Sequence, residues 1–266
     1  MIASLALATA LTVRGDRLYI PAQINGIATE AVLDSAAEVT VLDDEFADRA
    51  GAGEGKAVTA RGSGAGEAKA RLVEGVRLEA LGVDVPNVTA AVMDLDDVGQ
   101  RLFGRKLDAI VGRELFDAGR LAIDINGGTI QALPAAAKPK GTKLPLQTFH
   151  GNETIPVSIE GGPPVRAEFD LGNGSDVLIG QAYAKRLGLL DREHVHEEGG
   201  GIGGAVRRKV VTLKSVRIAG VTFRNVRAAI AEQPNAADVN VGVKLLRRFR
   251  IVTDFPQKAV WLQPRR

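Results

Sequence analysis

The second half of this chain repeats the first, and that duplication limits the folds available to it more than any other feature. Residues 111–124 align without a gap with residues 241–254, at a constant separation of 130 positions. Residues 82–92 read like residues 220–230, at a separation of 138 positions. Two aligned blocks in the same order indicate two copies of one structural unit. We therefore expect two similar halves of about 130 residues each.

The join between the halves predicts the domain boundaries. Residues 134–143 are small and polar and contain proline, a composition typical of a linker. We therefore predict an N-terminal lobe over residues 1–134, a linker over residues 135–143 and a C-terminal lobe over residues 144–266.

The first residues bear on the location of the protein. Residues 1–12 contain an apolar run that ends in Ala8-Thr9-Ala10, which resembles the remnant of a secretory signal with its small-x-small cleavage site. A first β-strand running on toward Val13 explains the same residues equally well. The pattern weakly favours an exported or periplasmic protein. No other stretch has the length and apolar character needed to cross a bilayer.

Short alternating runs of apolar and polar residues predict that each half is mainly β. Asn25-Gly26 predicts a tight hairpin turn after the first of these runs. A short helix is predicted after each of two aspartate motifs, and a glycine ends each helix. The predicted strands include residues 17–24, 165–169, 208–213 and 259–262, and the predicted helices cover about residues 43–50 and 180–187.

The composition removes several classes of function. The chain has no cysteine, which excludes disulfides, thiolate metal sites and a thiol nucleophile. Its formal net charge is +2 with both signs interspersed, so we predict no nucleic-acid partner. His194 and His196 lie beside two glutamates, but the chain has only three histidines, which are few for a metal centre. We predict a polar loop there, and neither a metal nor a cofactor.

In each half an apolar strand ends on an aspartate that is followed mostly by small residues, and a further glycine recurs later in the half. This arrangement places one carboxylate at the same point of each repeat. The residues that form the pattern are Asp34, Ser35, Ala36 and Ala37 in the first half, Asp170, Leu171, Gly172 and Asn173 in the second, and the later Gly112 and Gly242.

This pattern resembles that of the retropepsin-like and pepsin-like aspartic peptidases, and the resemblance covers residues 17–264. It implies an all-β, bilobal acid-protease fold, in which two β-barrel-like lobes of about six strands are related by a pseudo-twofold axis with a cleft between them. It also implies that Asp34 and Asp170 form one catalytic dyad, because two close carboxylates share one proton. Such a dyad activates the water that attacks a peptide carbonyl. Two copies in one chain imply a monomer with pseudo-dimeric lobes.

The two aspartate loops depart from the family pattern at two places. Ala36 stands where the family has glycine, which requires a negative φ at that residue. Leu171 replaces the Thr or Ser whose hydroxyl ties the two loops together in the family, so that Ser35 alone is left to make the link. The resemblance implies supporting roles for the remaining loop residues and for the later glycines, which are Ala37, Gly172, Asn173, Gly112 and Gly242.

A glycine-rich hairpin tip in each half stands where the family carries the flap that covers its substrate. Small, flexible tips suit a lid that closes over an extended peptide. The second tip also matches the nucleotide-binding pattern G-x-G-x-x-G, but a polar segment precedes it and a β-like run follows it, which disfavours that function. The predicted flap residues are Gly62, Ser63, Gly64 and Gly66 in the first half and Gly201, Ile202 and Gly203 in the second.

The sequence thus predicts an aspartic endopeptidase that acts on an extended peptide or protein and has no transmembrane segment. The departures at Ala36 and Leu171 leave a second hypothesis open, a peptide-binding protein that keeps the fold and has weak or no turnover. A cleavage and binding assay separates these two hypotheses, and the separation of the Asp34 and Asp170 carboxyl groups is the most informative single structural observation.

Overall fold

The computed structural model describes residues 8–232 and 237–265 of the 266-residue chain. The helices in this part of the chain are short, and strands dominate. The strands are β1 (Thr9–Ala10), β2 (Thr12–Arg14), β3 (Arg17–Ile24), β4 (Ile27–Leu33), β5 (Val41–Asp43), β6 (Lys56–Arg61), β7 (Glu67–Ala80), β8 (Val83–Met93), β9 (Ala109–Val111), β10 (Arg120–Asp124), β11 (Thr129–Leu133), β12 (Thr142–Pro145), β13 (Gln147–Phe149), β14 (Asn152–Ile159), β15 (Pro164–Phe169), β16 (Val177–Gly180), β17 (Val195–Gly199), β18 (Val206–Ile218), β19 (Val221–Ala231), β20 (Val239–Val241), β21 (Phe249–Asp254) and β22 (Ala259–Pro264). The helices are α1 (Asp44–Arg49), α2 (Asp96–Phe103), α3 (Arg113–Asp117), α4 (Gln181–Arg186) and α5 (Val243–Leu246).

Each lobe is built on one eight-stranded sheet, and the two sheets have equivalent strand orders. The first runs β2-β3-β4-β9-β5-β8-β7-β6, and the second runs β13-β14-β15-β20-β16-β19-β18-β17. An additional pairing of β3 with β7, and of β14 with β18, closes each sheet on itself, which gives the barrel-like form. The predicted all-β, two-lobe fold is confirmed. The expected six strands per lobe were too few, because short edge strands such as β2 and β13 extend each sheet.

A third sheet joins the lobes about their pseudo-twofold axis. Its order is β1-β11-β10-β21-β22-β12, so that β10 of one lobe pairs with β21 of the other at the centre. Arg120 lies opposite Asp254 in this pairing and donates to its carboxylate at 2.6 Å. Arg250 makes the reciprocal ion pair with Asp124 at 3.3 Å. The repeated Arg and Asp residues therefore stabilise the junction between the lobes.

The chain crosses from one lobe to the other between β11 and β12. It leaves β11 at Leu133 and enters β12 at Thr142, so the last two residues of the predicted linker belong to a strand. We keep the division into residues 1–134, 135–143 and 144–266 as a proposal that agrees with this crossing. Of the proposed signal remnant, residues 1–7 lie outside the described residues, and Thr9–Ala10 form β1 beside β11.

Local predictions agree with the structure at the first hairpin and at two helices. Asn25 and Gly26 have φ values of 49° and 82°, which suit the tight turn between β3 and β4. The predicted helices correspond to α1 and α4, and Asp43 caps α1 by accepting the Phe46 N–H. Helices α2, α3 and α5 were not predicted. They have four to eight residues, and α1 and α4 are similarly short at six residues each, but α1 and α4 could be predicted from their place after an aspartate motif and before a glycine.

One apolar core extends through both lobes. Phe116 stacks on Phe255 across the junction, with ring centroids 5.0 Å apart. A second, smaller apolar cluster lies in the first lobe and includes Tyr19, Leu95 and Ile110. In residues 8–232 and 237–265, every helix is too short or too polar to span a membrane.

Candidate active site

Each predicted catalytic aspartate follows the last residue of a strand at an equivalent place. Asp34 follows β4, and its N–H donates to the Val111 carbonyl at 3.0 Å. Asp170 follows β15, and its N–H donates to the Val241 carbonyl at 3.1 Å. Strand β4 runs parallel to β9, and β15 runs parallel to β20. The duplication thus gives both aspartates the same backbone anchor.

The glycine after each of these valines allows the chain to pass close beside an aspartate loop. A Cβ at Gly112 would lie 2.8 Å from the carbonyl oxygen of Val39, and a Cβ at Gly242 would lie 2.3 Å from that of Ser175. A side chain at either position would force the backbone of the loop to move. The structure therefore places both glycines against the loops that carry Asp34 and Asp170.

The two aspartate loops meet face to face at the junction of the lobes. A Cβ at Gly172 would lie 2.2 Å from the carboxyl carbon of Asp34, so the loop after Asp170 touches the other aspartate. The Asp34 Oδ1 accepts the Ala36 N–H at 2.8 Å. Ala36 has a negative φ, so its methyl group causes no backbone strain at the position where glycine was expected.

Asp170 accepts several hydrogen bonds. Its Oδ1 accepts the Gly172 N–H at 2.8 Å and the Asn173 N–H at 2.9 Å. Its Oδ2 accepts the side-chain amide of Asn240 at 2.7 Å. The same Asn240 amide donates to the Glu168 carboxylate at 3.0 Å. Donors on both oxygens stabilise the ionised form of Asp170.

A single hydroxyl links the two loops across the junction. Ser35 donates to the Phe169 carbonyl at 2.7 Å, and its oxygen accepts the Leu171 N–H at 3.0 Å. Ser35 is only 2% exposed, so water is not available to replace these bonds. Leu171, at the equivalent place in the second loop, is fully buried in the apolar core. The predicted hydrogen-bond link through Ser35 is present. Only the first loop supplies a hydroxyl for it, because Leu171 in the second loop has none.

We expect Ser35→Ala to destabilise the protein by about 2–4 kcal/mol, because it leaves a buried carbonyl and a buried N–H without their partner. Urea denaturation measures the change. Ser158→Ala is a matched control, since Ser158 is a half-buried serine on β14 whose hydroxyl is not bonded to any of the described residues. An equal, small effect of both substitutions would contradict the importance of the link.

Both aspartates hold a proton more tightly than an ordinary aspartic acid does. Each residue is only half-buried, yet the loss of solvent around its carboxyl group is the main cause of its raised pKa. Repulsion from Asp170 adds to this effect and brings the pKa of Asp34 to about 7. Desolvation also raises the pKa of Asp170, but the hydrogen bond from Asn240 opposes the rise.

The two glycine-rich segments form the tips of the β6–β7 and β17–β18 hairpins and contact each other. The Gly64 N–H donates to the Ile202 carbonyl at 3.0 Å, and the Gly66 N–H donates to the Gly203 carbonyl at 2.8 Å. The Ile202 side chain packs on the smaller apolar cluster of the first lobe, as does Ala37 of the first aspartate loop. The other predicted flap residues, Gly62, Ser63 and Gly201, lie in the same two tips.

Two arginines form hydrogen bonds to these tips. Arg208 on β18 donates to the Ser63 carbonyl at 2.6 Å, so the second hairpin holds the first. Arg101 on α2 donates to the Gly201 carbonyl at 3.0 Å, so the first lobe holds the second hairpin. The structure therefore shows the two tips joined to each other and to the first lobe.

The G-x-G-x-x-G pattern of the second hairpin lies outside the structural context that nucleotide binding requires. Residues 199–204, which spell G-x-G-x-x-G, lie between β17 and β18, whereas a dinucleotide site needs a helix after the glycines. The His194 Nδ1 lies 2.9 Å from the Arg192 carbonyl oxygen, and its ring packs edge-on against His196. These are the contacts of a turn and a hairpin strand.

Next to the two aspartates, the first lobe is apolar and the second is polar. Val32 is paired with Ile110 in the first lobe, and both belong to the smaller apolar cluster. The equivalent pair in the second lobe is Glu168 and Asn240. Sequence reasoning missed these two polar residues. The duplication could have revealed them, because it aligns Glu168 with Val32 and Asn240 with Ile110. A polar residue in one copy thus stands where the other copy has a buried apolar residue.

Comparison with known families supports the correspondence of the two halves. A model of the aspartyl protease family matches the chain twice, over residues 20–114 and 155–245. The first match contains Asp34 and the second contains Asp170. A comparison with curated proteins found no match. Because the two matched segments make up more than half of the chain and fall one in each lobe, the chain belongs to the aspartyl protease family.

Proposed function

We propose that the protein is an aspartic endopeptidase in which Asp34 and Asp170 act as one catalytic pair. The observation that carries the proposal is the contact of Gly172 with the Asp34 carboxyl group, which supports a single site shared by the two aspartate loops. Burial and mutual repulsion oppose ionisation of both carboxyl groups, so the pair retains one proton near neutral pH. A carboxylate and a carboxylic acid side by side can serve as base and acid for one water molecule.

The hydrogen bonds suggest how the proton is divided within the pair. Asp170 accepts bonds from Gly172, Asn173 and Asn240, which favour its ionised form. Asp34 has fewer donors and the pKa of about 7, so it retains the proton. The pair still titrates as a unit.

Hydrolysis then proceeds by two proton exchanges. Asp170 takes a proton from water as the water oxygen bonds to the peptide carbonyl carbon, and Asp34 gives its proton to the carbonyl oxygen. The product is a neutral diol. Asp170 next protonates the amide nitrogen while Asp34 takes a proton from one diol hydroxyl, and the C–N bond breaks. The acid and amine products leave, and each aspartate has recovered its first protonation state.

The two hairpin tips supply the cover for the substrate in this proposal. Main-chain groups of Gly64, Gly66, Ile202 and Gly203 already form hydrogen bonds of the kind that an extended peptide makes. Because the tips are bonded to each other, they have to separate to admit a peptide and close again over it. We therefore propose an extended peptide or an unfolded protein segment as substrate, and a monomer as the working form, because one chain contains both aspartates.

The one-sided link between the loops supports a second candidate. Leu171 offers no hydroxyl to the first loop, so the loops are held less firmly than two reciprocal links would hold them. A protein with this weakness could bind peptides in the cleft and turn them over poorly. Cleavage and binding therefore have to be measured separately.

The proposed activity is tested by incubating the protein with an unstructured protein at acidic and neutral pH, with and without a statine-containing peptide. Statine carries a tetrahedral alcohol that mimics the diol. We expect cleavage that the statine peptide blocks. Binding of the peptide without any cleavage would favour the peptide-binding alternative. Cleavage that the peptide leaves unchanged would argue against a shared aspartate site.

A further inference from the structure

We propose that Arg17 is a specificity-determining residue that binds a carboxylate of the peptide substrate. The inference rests on the proposed endopeptidase function and deepens it, because it names the chemistry of the substrate. Sequence reasoning did not single out Arg17, which lies more than 150 positions from the second aspartate loop.

Arg17 lies beside the loop that carries Asp170. It is the first residue of β3, and its guanidinium occupies the space that Gly174 leaves open, since a Cβ at Gly174 would lie 1.5 Å from Nη1. The guanidinium carbon is 5.8 Å from the centre of the Phe103 ring. Both Asp34 and Asp170 are near enough to attract its positive charge. The cation thus lies at the wall of the site, between the second aspartate loop and the end of α2.

The guanidinium of Arg17 is not satisfied by the protein. Its Nε is enclosed and has no hydrogen-bond partner within residues 8–232 and 237–265. Burial lowers the pKa of Arg17, as expected for a cation that has lost water. The preceding residue, Asp16, makes the smallest of the opposing contributions to the pKa of Arg17, and its carboxylate is paired with Arg247 of the second lobe at 2.8 Å. A guanidinium in this position gains most from a ligand that brings its own negative charge.

The arginines that contact the hairpin tips, and those that lie against the Tyr19 ring, already have structural partners. Arg101 and Arg208 also have an enclosed Nε without a partner among the described residues, but both donate to carbonyls of the hairpin tips. Arg14 and Arg105 share the Glu30 carboxylate. Arg17 differs from these four arginines, because its guanidinium makes no hydrogen bond to any of the described residues.

The position of Arg17 relative to the dyad makes a substrate carboxylate the fitting ligand. Gly172 touches the Asp34 carboxyl group, and Gly174, two residues further along the same loop, touches Arg17. A peptide laid across the two aspartates therefore passes the guanidinium. Carboxylates match the paired donors of a guanidinium better than any other peptide group. The substrate class is accordingly a peptide with Asp or Glu near the scissile bond.

Binding of uncleavable probes tests the inference without relying on turnover. The probes are statine peptides with amidated C-termini, in which one Glu is moved along the sequence, each paired with its Gln counterpart. One further probe has a free C-terminal carboxylate, to separate a side-chain acid from a chain end. We expect one Glu position to bind the wild-type protein at least about tenfold more tightly than its Gln counterpart. Arg17→Gln should reduce that ratio to about one, and Arg17→Lys should keep part of it.

Arg14→Gln is the matched control, because Arg14 lies in the same hairpin and is paired with Glu30. It should leave the Glu preference unchanged. Three results would overturn the inference. They are equal binding of all Glu and Gln probes to the wild type, a preference only for the free C-terminus, and a Glu preference that persists in a folded Arg17→Gln variant. The protein could also show a Glu preference that depends on Arg17 and yet cleave no substrate. That result would support the role of Arg17 and contradict the proposed hydrolysis. Failure of every probe to bind would remove both.

Discussion

Replacing Asp34 with asparagine is expected to abolish cleavage and, at neutral pH, to make the folded protein more stable. The loss of activity should be on the order of a thousandfold or more, because the amide can neither supply nor recover the proton in the two exchanges. The wild-type rate should itself fall as the pH rises through about 7, where Asp34 gives up the shared proton. Initial cleavage rates of both proteins across the pH range measure these effects.

The gain in stability follows from the raised pKa of Asp34. Its folded-state pKa of about 7 exceeds the ordinary value of 3.8, so the folded protein binds this proton more tightly than the unfolded chain does. Wild-type stability should therefore decline as the pH rises from about 4 to 7, while the Asp34→Asn variant lacks this loss. We expect the difference between the two proteins to be small at pH 4 and on the order of 3 kcal/mol at pH 7. Urea denaturation at both pH values measures it.

Asp124→Asn is the matched control, because Asp124 also recurs in the duplication but lies in the sheet that joins the lobes. It accepts the Gly127 N–H at 2.7 Å and pairs with Arg250. Its replacement should leave the cleavage rate within about threefold and should not increase stability, since it weakens an ion pair. An Asp34→Asn protein that still cleaves, or that is less stable than the wild type at pH 7, would refute the proposed role of Asp34.

The duplication made most of the fold predictable, because each landmark of one half could be checked against the other. Asp34 and Asp170 were predicted as the catalytic pair in this way, since both end an apolar strand at the same place in the repeat. The reliance on Ser35 was also predictable, because Leu171 visibly lacks a hydroxyl. These predictions depend on residue type and position within one repeat, which a sequence records directly.

The residues that were missed owe their roles to contacts between distant segments. Asn240 is one polar residue in the middle of a three-residue strand until the fold places its amide between Asp170 and Glu168. Arg17 becomes unusual only because Gly174, from the other lobe, leaves room for its guanidinium. A difference between the two copies at a buried position, such as Ile110 against Asn240, is the sequence signal that would have pointed to the polar side of the site.

Gly172→Ala is expected to lower the cleavage rate by about a hundredfold while the protein still folds. The added Cβ would lie 2.2 Å from the carboxyl carbon of Asp34, a distance that forces the carboxyl group or the loop to move. A displacement of about 1 Å in reacting groups is enough for a loss of this size. The local φ of Gly172 is not in the left-handed region, so alanine adds no backbone strain. The effect should therefore appear mainly in kcat.

Gly119→Ala separates this effect from a general cost of removing glycine. Gly119 also has no left-handed φ, and a Cβ there would meet nothing within 4 Å, so its replacement should change neither the rate nor the stability appreciably. If Gly172→Ala cleaves at the wild-type rate, the loop after Asp170 does not press on Asp34 in the working protein. The two carboxyl groups would then not be held in one site by that contact, and the shared proton on which the proposed mechanism depends would lose its structural basis.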